Sequence, residues 1–337
     1  MYLITFRPGT PREEVESAVS ALTRLGFEAQ RIEAEVPLLL IRRDSGWVEA
    51  GSLGRLPGVL EVVRLAPEWR LAGRDAKPGG TTFRVRELEV GKTVLIAAGP
   101  CVVEDEKTLL DTARAVRQAG GHFLRGGAFK PRTSPYAFHG EGAEGLAALR
   151  RARDETSLPV ITECLDPRQV EAVAETADIL QIGARSMQNF PLLREAGRAG
   201  KPVLLKRGLG ATLEEWLLAA EHVLLSGEER VILCERGVRG IAEHSRFTLD
   251  LAVLPRLREE THLPIWVDPS HATGRAASVP AMARAAVAAG ADGLLLEVHP
   301  DPAAALSDGA QALGPAEFQA LVPQLRAVAA AVGRTLG

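Results

Sequence analysis

The hydrophobic pattern of the chain changes character once, near residue 83. Before that point, YLITF (2–6) reads as a short strand. PREEVESAVSALTRLG (11–26) reads as an amphipathic helix, with Pro11 and acidic residues in its first turn and Gly26 as its stop. FEAQRIEA and PLLLIRR follow as strands, WVEAGSLGRL as a weaker helix and VLEVVRL as a last strand. The order βαββαβ predicts a small ferredoxin-like α+β domain over residues 1–70. AGRDAKPGG (72–80) has linker composition, so residues 71–82 are expected to join two parts.

From residue 83 strand and helix alternate. FRVRELEV reads as an extra strand, and then come VLIAA (94–98), HFLR (122–125), PVITE (159–163), ILQIG (179–183), PVLLK (202–206), VILCE (231–235), PIWVD (264–268) and GLLLEV (293–298). Each is a short continuous apolar run, the signature of a parallel strand buried on both faces. Helical stretches such as KTLLDTARAVRQAG, EGLAALRRARDET, EEWLLAAEHVLL and MARAAVAAG fill the gaps. The expected fold class is α/β, a (β/α)8 barrel over residues 83–337 behind the ferredoxin-like domain. A doubly wound open sheet is the alternative, but the even spacing of the units favours closure.

Composition adds constraints. The 337 residues suit two domains, and 46% apolar content supplies a core. A net charge of −3 leaves no broad footprint for nucleic acid or a membrane surface. No apolar run approaches the ~18 residues of a membrane-spanning helix, and MYLITFRPGT lacks the pattern of a secretory signal. Cys101, Cys164 and Cys234 form an odd, sparse set, which argues against a disulfide framework and for a reducing, cytoplasmic setting. Lysine occurs only at 77, 92, 107, 130, 201 and 206, and arginine supplies the rest of the 40 basic residues. A lysine kept beside a motif therefore suggests a need for a compact ammonium.

Barrel enzymes carry their active sites at the C-terminal strand ends, and reactive residues collect there in this chain. The strand ends lead to Cys101; to Arg125, Lys130 and Arg132; to Glu163 and Cys164; to Arg185; to Lys206 and Arg207; to Glu235 and Arg236; to Asp268 and His271; and to Glu297 and Asp308. The opposite rim has nothing comparable. Cys101, His271, Glu297 and Asp308 follow strands 1, 7 and 8, neighbours in a closed barrel. They make a mixed S/N/O ligand set for a divalent transition metal with room for a substrate oxygen. Taken singly, Cys101 also fits a small buried residue and His271 a hydrogen-bonded loop histidine. Arg125, Lys130, Arg132, Arg185, Lys206 and Arg236 form a cation set at the same rim. Ordinary salt bridges account for one or two of them; a substrate carrying several phosphate and carboxylate groups accounts for all.

AGPC, RGGAFKPRTS, TECLD, QIGAR, LLKRG, CERG, DPSHATG, LEVHP and ALSDGAQAL together resemble the 3-deoxy-D-arabino-heptulosonate 7-phosphate (DAHP) synthases of the type with an N-terminal ferredoxin-like domain. The resemblance covers nearly the whole chain, and these motifs in family order are highly specific. It implies condensation of phosphoenolpyruvate with erythrose 4-phosphate, the first step of the shikimate pathway, on a divalent metal of the Mn, Fe, Co or Zn class. It implies metal ligation by Cys101, His271, Glu297 and Asp308. Phosphoenolpyruvate would be held by Arg125, Lys130, Ala184, Arg185, Lys206 and Arg236, with Glu163 nearby. Arg132, Thr133 and Ser134 would receive the sugar phosphate, and Asp268 would stand beside the aldehyde. Lys130 is the candidate proton donor, its pKa expected to be depressed among cations.

The resemblance further implies feedback inhibition by tyrosine or phenylalanine through the front domain, and a homo-tetramer. The 3-deoxy-D-manno-octulosonate 8-phosphate synthases, which take arabinose 5-phosphate, usually read KANRTS where this chain has KPRTS. The residues also allow an imine-forming aldolase using Lys206, or a non-catalytic metabolite sensor. AGPCVVEDE departs from the family where serine commonly follows Val-Glu, and Asp105 could cap the next helix there.

Overall fold

The computed structural model describes the chain apart from residues 33, 35, 43–49, 66, 67, 133 and 242. It divides into two compact units, Met1–Glu68 and Trp69–Gly337.

The first unit runs β1 (Tyr2–Phe6), α1 (Arg12–Arg24), β2 (Glu28–Ile32), β3 (Leu38–Arg42), α2 (Ala50–Leu53) and β4 (Val59–Arg64). Its strands form one antiparallel sheet in the order β2-β3-β1-β4, the ferredoxin-like arrangement. Period-2 alternation sends Ile4 and Phe6 of β1 and Leu39 and Ile41 of β3 to one face. There they pack with Val15, Ala18 and Leu22, spaced at helical intervals along α1. The helix expected at WVEAGSLGRL covers Ala50–Leu53, and residues 47–49 lie outside the described ones.

The second unit opens with a segment that is folded rather than loose. Ala72 is fully buried. Glu221 Oε1 accepts bonds from the Arg70 and Ala72 amides, both at 2.7 Å, and the Thr81 amide donates to His262 O at 2.8 Å. Residues 69–82, which include the stretch of linker composition, therefore pack as part of this unit. FRVRELEV is not one strand but a hairpin of β5 (Phe83–Val85) and β6 (Leu88–Val90). Arg86, with φ +52°, reverses the chain between them.

The strands β7 (Leu95–Gly99), β8 (Phe123–Arg125), β9 (Val160–Cys164), β10 (Ile179–Ile182), β11 (Val203–Lys206), β12 (Val231–Glu235), β13 (Ile265–Val267) and β14 (Gly293–Glu297) form a closed parallel barrel. β14 pairs with β7, Leu295 opposite Ala97, so the open-sheet alternative is excluded. Around it lie α3 (Glu106–Ala119), α4 (Ala143–Thr156), α5 (Val170–Thr176), α6 (Phe190–Arg198), α7 (Leu213–Leu224), α8 (Val253–Glu260), α9 (Pro269–Thr273), α10 (Val279–Ala288) and α11 (Pro315–Ala331). Asp105 does cap α3, accepting the Thr108 amide at 2.8 Å.

Two apolar cores follow from this layout. One lies between strands and helices. The other fills the barrel interior with Leu95, Phe123, Ile161, Leu204, Ile232, Trp266 and Leu295, and Val85 and Val90 of the hairpin join it. Trp266 meets Phe123 edge-on, ring centroids 5.7 Å apart. Gly293 makes room for the indole, since a Cβ there would lie 2.4 Å from the ring. A packed interior leaves the C-terminal mouth as the place for chemistry. Among the described residues no helix is long and apolar enough to cross a membrane.

Candidate active site

Three strand ends converge on one cluster of four residues. Cys101 follows β7 after the Gly99-Pro100 turn, His271 stands on the short helix after β13, Glu297 ends β14, and Asp308 lies in the loop beyond it. Gly99 has φ +151° and its Cα faces Arg125 O, which a Cβ would approach to 2.0 Å. That close crossing sets Cys101 beside β8. One donor atom from each of Cys101, His271, Glu297 and Asp308 lies within 4.8 Å of the others. Cys101 Sγ is 3.0 Å from Asp308 Oδ2 and 3.8 Å from His271 Nε2, and His271 Nε2 is 3.1 Å from Glu297 Oε1.

The surroundings prepare these groups as ligands. Burial pushes the His271 imidazole down to about 4, against the pull of Asp268 and Glu297, so the ring is neutral near pH 7. Asp268 Oδ2 lies 2.7 Å from His271 Nδ1, and its carboxyl is held well below the usual range. Nδ1 therefore carries the proton, and Nε2 presents its lone pair to the cluster. Burial and Glu297 raise the Cys101 thiol; metal ligation requires the thiolate, so binding would release a proton. A thiolate, a neutral imidazole and two carboxylates, all convergent, fit a divalent transition metal.

Above the cluster opens a pocket of about 320 Å³. Lys130, Arg132, Ser134, Glu163, Ala184, Arg185, Lys206 and Arg236 line it together with His271 and Asp308. Arg125 is buried beneath, with Nη1 2.9 Å from Glu297 Oε1 and Nε without a partner. Salt bridges account for three of the six cations, more than the one or two expected: Arg125 with Glu297, Lys130 with Asp308, and Lys206 with Asp268. Arg185 and Arg236 have no carboxylate partner among the described residues. The Arg236 guanidinium stacks on Phe247 at 4.4 Å. Arg132 donates to Phe138 O and Ser307 Oγ, tying the loop after β8 to the loop after β14. Thr133 lies outside the described residues.

Glu163 accepts from Gln181 Nε2 at 2.9 Å, and Gly183 leaves it space: a Cβ there would lie 2.0 Å from its Oε1.

Two expectations change. Lys130 does not sit among cations alone. Its ammonium touches Cys101 Sγ and lies 3.2 Å from Asp308 Oδ2. Burial works against the charge, but Cys101, Glu297 and Asp308 outweigh it, so its pKa is raised and not depressed. Asp268 is 1% exposed. Its oxygens are taken up by Lys206 Nζ at 2.6 Å and by the His271 amide and ring, so it stands behind the imidazole.

Sequence reasoning missed Gln311 and Arg246. Gln311 Nε2 donates to Glu297 Oε2 at 2.7 Å, and Arg246 binds Asp308. Gln311 stands inside ALSDGAQAL, where its neutral amide carries no charge to mark it, and Arg246 stands in the loop after β12, outside every quoted motif, although it too lines the pocket. Beneath the pocket, Arg207 joins Glu235 and Asp250, each at 3.0 Å.

A cluster of four donors able to hold a metal ion, beneath a cation-lined barrel mouth, defines the class: a (β/α)8 enzyme acting on anionic substrates. The chain belongs to the DAHP synthetase I family, whose model matches residues 88–332. It is 42% identical over 333 residues to the phospho-2-dehydro-3-deoxyheptonate aldolase of Thermotoga maritima, covering 98% of each chain. It is similar to the crystal structure of a Thermotoga maritima DAHP synthase with TM-score 0.91 and 41% identity, over 100% of this chain and 99% of that one. A truncated form of the Thermotoga maritima synthase matches with TM-score 0.74 and 44% identity, over 79% of this chain and 98% of that one. The 2-dehydro-3-deoxyphosphooctonate aldolase of Syntrophotalea carbinolica is 36% identical over 271 residues, 74% of this chain and 97% of that one.

Proposed function

We propose that the chain condenses phosphoenolpyruvate with erythrose 4-phosphate, giving DAHP and inorganic phosphate, the entry step to aromatic amino acids. One observation carries the reading: His271 and Asp308 belong both to the four-donor cluster and to the wall of the cation-lined pocket. A metal-binding centre and a site for anions are therefore one space.

In this reading Arg185, Arg236 and Lys206 hold the phosphate and carboxylate of phosphoenolpyruvate, with Arg125 below, Lys130 and Ala184 at the wall and Glu163 opposite. Arg132, Ser134 and Thr133 receive the sugar phosphate. Two anions fixed in one mouth turn a bimolecular encounter into a positioned one. C3 of phosphoenolpyruvate bonds to C1 of the aldehyde, water adds at C2, and phosphate leaves as the C2–O bond breaks. A divalent ion held by Cys101, His271, Glu297 and Asp308, of the Mn, Fe, Co or Zn class, supplies Lewis acidity toward the aldehyde oxygen when bound. Lys130 Nζ, kept protonated by its anionic neighbours, gives a proton to that oxygen, and the guanidinium groups offset charge on the departing phosphate.

An imine mechanism is disfavoured because Lys206 Nζ is buried and tied to Asp268 Oδ2 at 2.6 Å, which takes up the nitrogen that would have to attack the carbonyl. The octulosonate reading is disfavoured because its relative matches 74% of this chain against 98% for the heptonate aldolase. Phosphate release from phosphoenolpyruvate is expected to require erythrose 4-phosphate, to fail with arabinose 5-phosphate and to stop on chelation. Full turnover after exhaustive chelation would sink this reading, and ligand binding without any turnover would make the chain a sensor.

The Met1–Glu68 unit is read as regulatory, with tyrosine or phenylalanine as the inhibitor. Because Ala72 is buried in the barrel unit, the informative deletion removes residues 1–68 and keeps Trp69 onward. Turnover is expected to persist while inhibition by the aromatic amino acid disappears; persistence of inhibition refutes the assignment. A homo-tetramer belongs to the same reading. So does a cytoplasmic location, which suits three free, buried cysteines.

A further inference from the structure

Arg246 lies on the loop between β12 and α8, outside every quoted motif, and lines the pocket beside His271 and Asp308. Its backbone is stitched to the helix that carries His271: the Arg246 amide donates to Thr273 O at 3.2 Å, and the Phe247 amide to Ala272 O at 2.8 Å. Its stem packs over Gly274, where a Cβ would come within 2.6 Å of Arg246 Cβ. The guanidinium then reaches the cluster. Nη1 lies 3.0 Å from Asp308 Oδ1 and 2.9 Å from Gln311 Oε1. With its amide oxygen on Arg246, Gln311 turns its NH2 toward Glu297 Oε2, at 2.7 Å.

Two of the four donors are thus set from one side chain. Arg246 holds Asp308 directly, and Glu297 through Gln311. Because Oδ1 of Asp308 is occupied, Oδ2 alone faces Cys101 Sγ at 3.0 Å. The backbone of Asp308 is left-handed, φ +56°, a conformation that a non-glycine residue keeps when its surroundings enforce it. We propose that Arg246 is a positioning residue that presents Asp308 to the metal through a single oxygen and, through Gln311, fixes the orientation of Glu297. The proposal rests on the reading of Cys101, His271, Glu297 and Asp308 as metal ligands. Bonds of this outer kind commonly set metal affinity by about 10–100-fold.

The test uses the full-length apo protein titrated with Co²⁺ alone in competition with a chelating dye, with the cobalt absorption bands recorded. The variants are Arg246→Lys and Arg246→Gln, with Cys101→Ala as reference. Lysine keeps the charge, but its rotating ammonium lacks the fixed in-plane directions of the two Nη1 N–H bonds that meet Asp308 and Gln311. Arg246→Lys is expected to weaken Co²⁺ binding about 10–100-fold and to shift the d–d bands, while the thiolate-to-cobalt band persists. Arg246→Gln is expected to shift the bands in the same way.

Wild-type affinity and spectrum in Arg246→Lys, with a raised KM for the phosphorylated aldehyde, would overturn the proposal and make Arg246 a substrate contact. A lowered Tm with unchanged cobalt spectra would also overturn it, leaving a structural role alone. Wild-type cobalt binding by Cys101→Ala would remove the metal reading itself, and the proposal with it.

Discussion

Replacing Cys101 by alanine is expected to abolish tight metal binding and to reduce turnover by about three orders of magnitude. The magnitude follows from Lewis-acid stabilisation worth several kcal/mol, at about 1.36 kcal/mol per factor of ten. The thiol is the soft donor of the set, and it separates a transition-metal site from one suited to magnesium or calcium. The fold should persist. Cys101 is 6% exposed, and alanine is small enough to occupy its place without overpacking. Lys130 would lose its contact with the sulfur and keep Asp308, 3.2 Å away. Metal stoichiometry by competition with a chelating dye and phosphate release measured on one preparation check the prediction. Full stoichiometry with full turnover would show that the sulfur is a packing residue.

Asp268→Asn is expected to do more damage than its 1% exposure and its place behind the imidazole suggest. The carboxylate compensates the buried ammonium of Lys206 and orients His271. An asparagine leaves that ammonium without a counter-charge. Breaking a buried pair from one side costs about 3–5 kcal/mol, so the Tm should fall clearly. The carboxylate only accepts, and so it keeps the proton on Nδ1 of His271. An amide that turns its NH2 toward Nδ1 moves the proton to Nε2, the nitrogen that lies 3.8 Å from Cys101 Sγ. Metal affinity should therefore drop by about 10–100-fold as well. Thermal melting and dye competition separate the two effects. A variant with wild-type Tm and wild-type affinity would leave Asp268 free to act on the aldehyde.

Much of the architecture was legible in residue order because parallel strands buried on both faces must be continuous apolar runs. VILCE over 231–235 is β12 to the residue, and ILQIG overshoots β10 by one. The candidate ligands were legible for a related reason. Barrel closure makes the first and last strands neighbours, so Cys101 and Glu297 had to share a rim. The hairpin of β5 and β6 was not legible, because it depends on a single arginine taking φ +52°. Nor was the packing of residues 71–82, where alanine, glycine and proline suggest a tether. Thr261 and Glu221, distant in the chain, anchor the neighbouring backbone there.

Residue order by itself determined the alternation of strands and helices, the closing of the barrel and the end of it on which reactive side chains gather. These follow from burial patterns that repeat locally. Tertiary structure alone decided that Lys130 lies against Cys101 and Asp308, that Asp268 backs His271, and that Arg246 and Gln311 hold the carboxylates. Arg125 and Glu297 meet across 172 positions of chain, and at such separations the path of each loop chooses the neighbours. Charge on a side chain is a property of the residue; the sign of what it faces is a property of the fold.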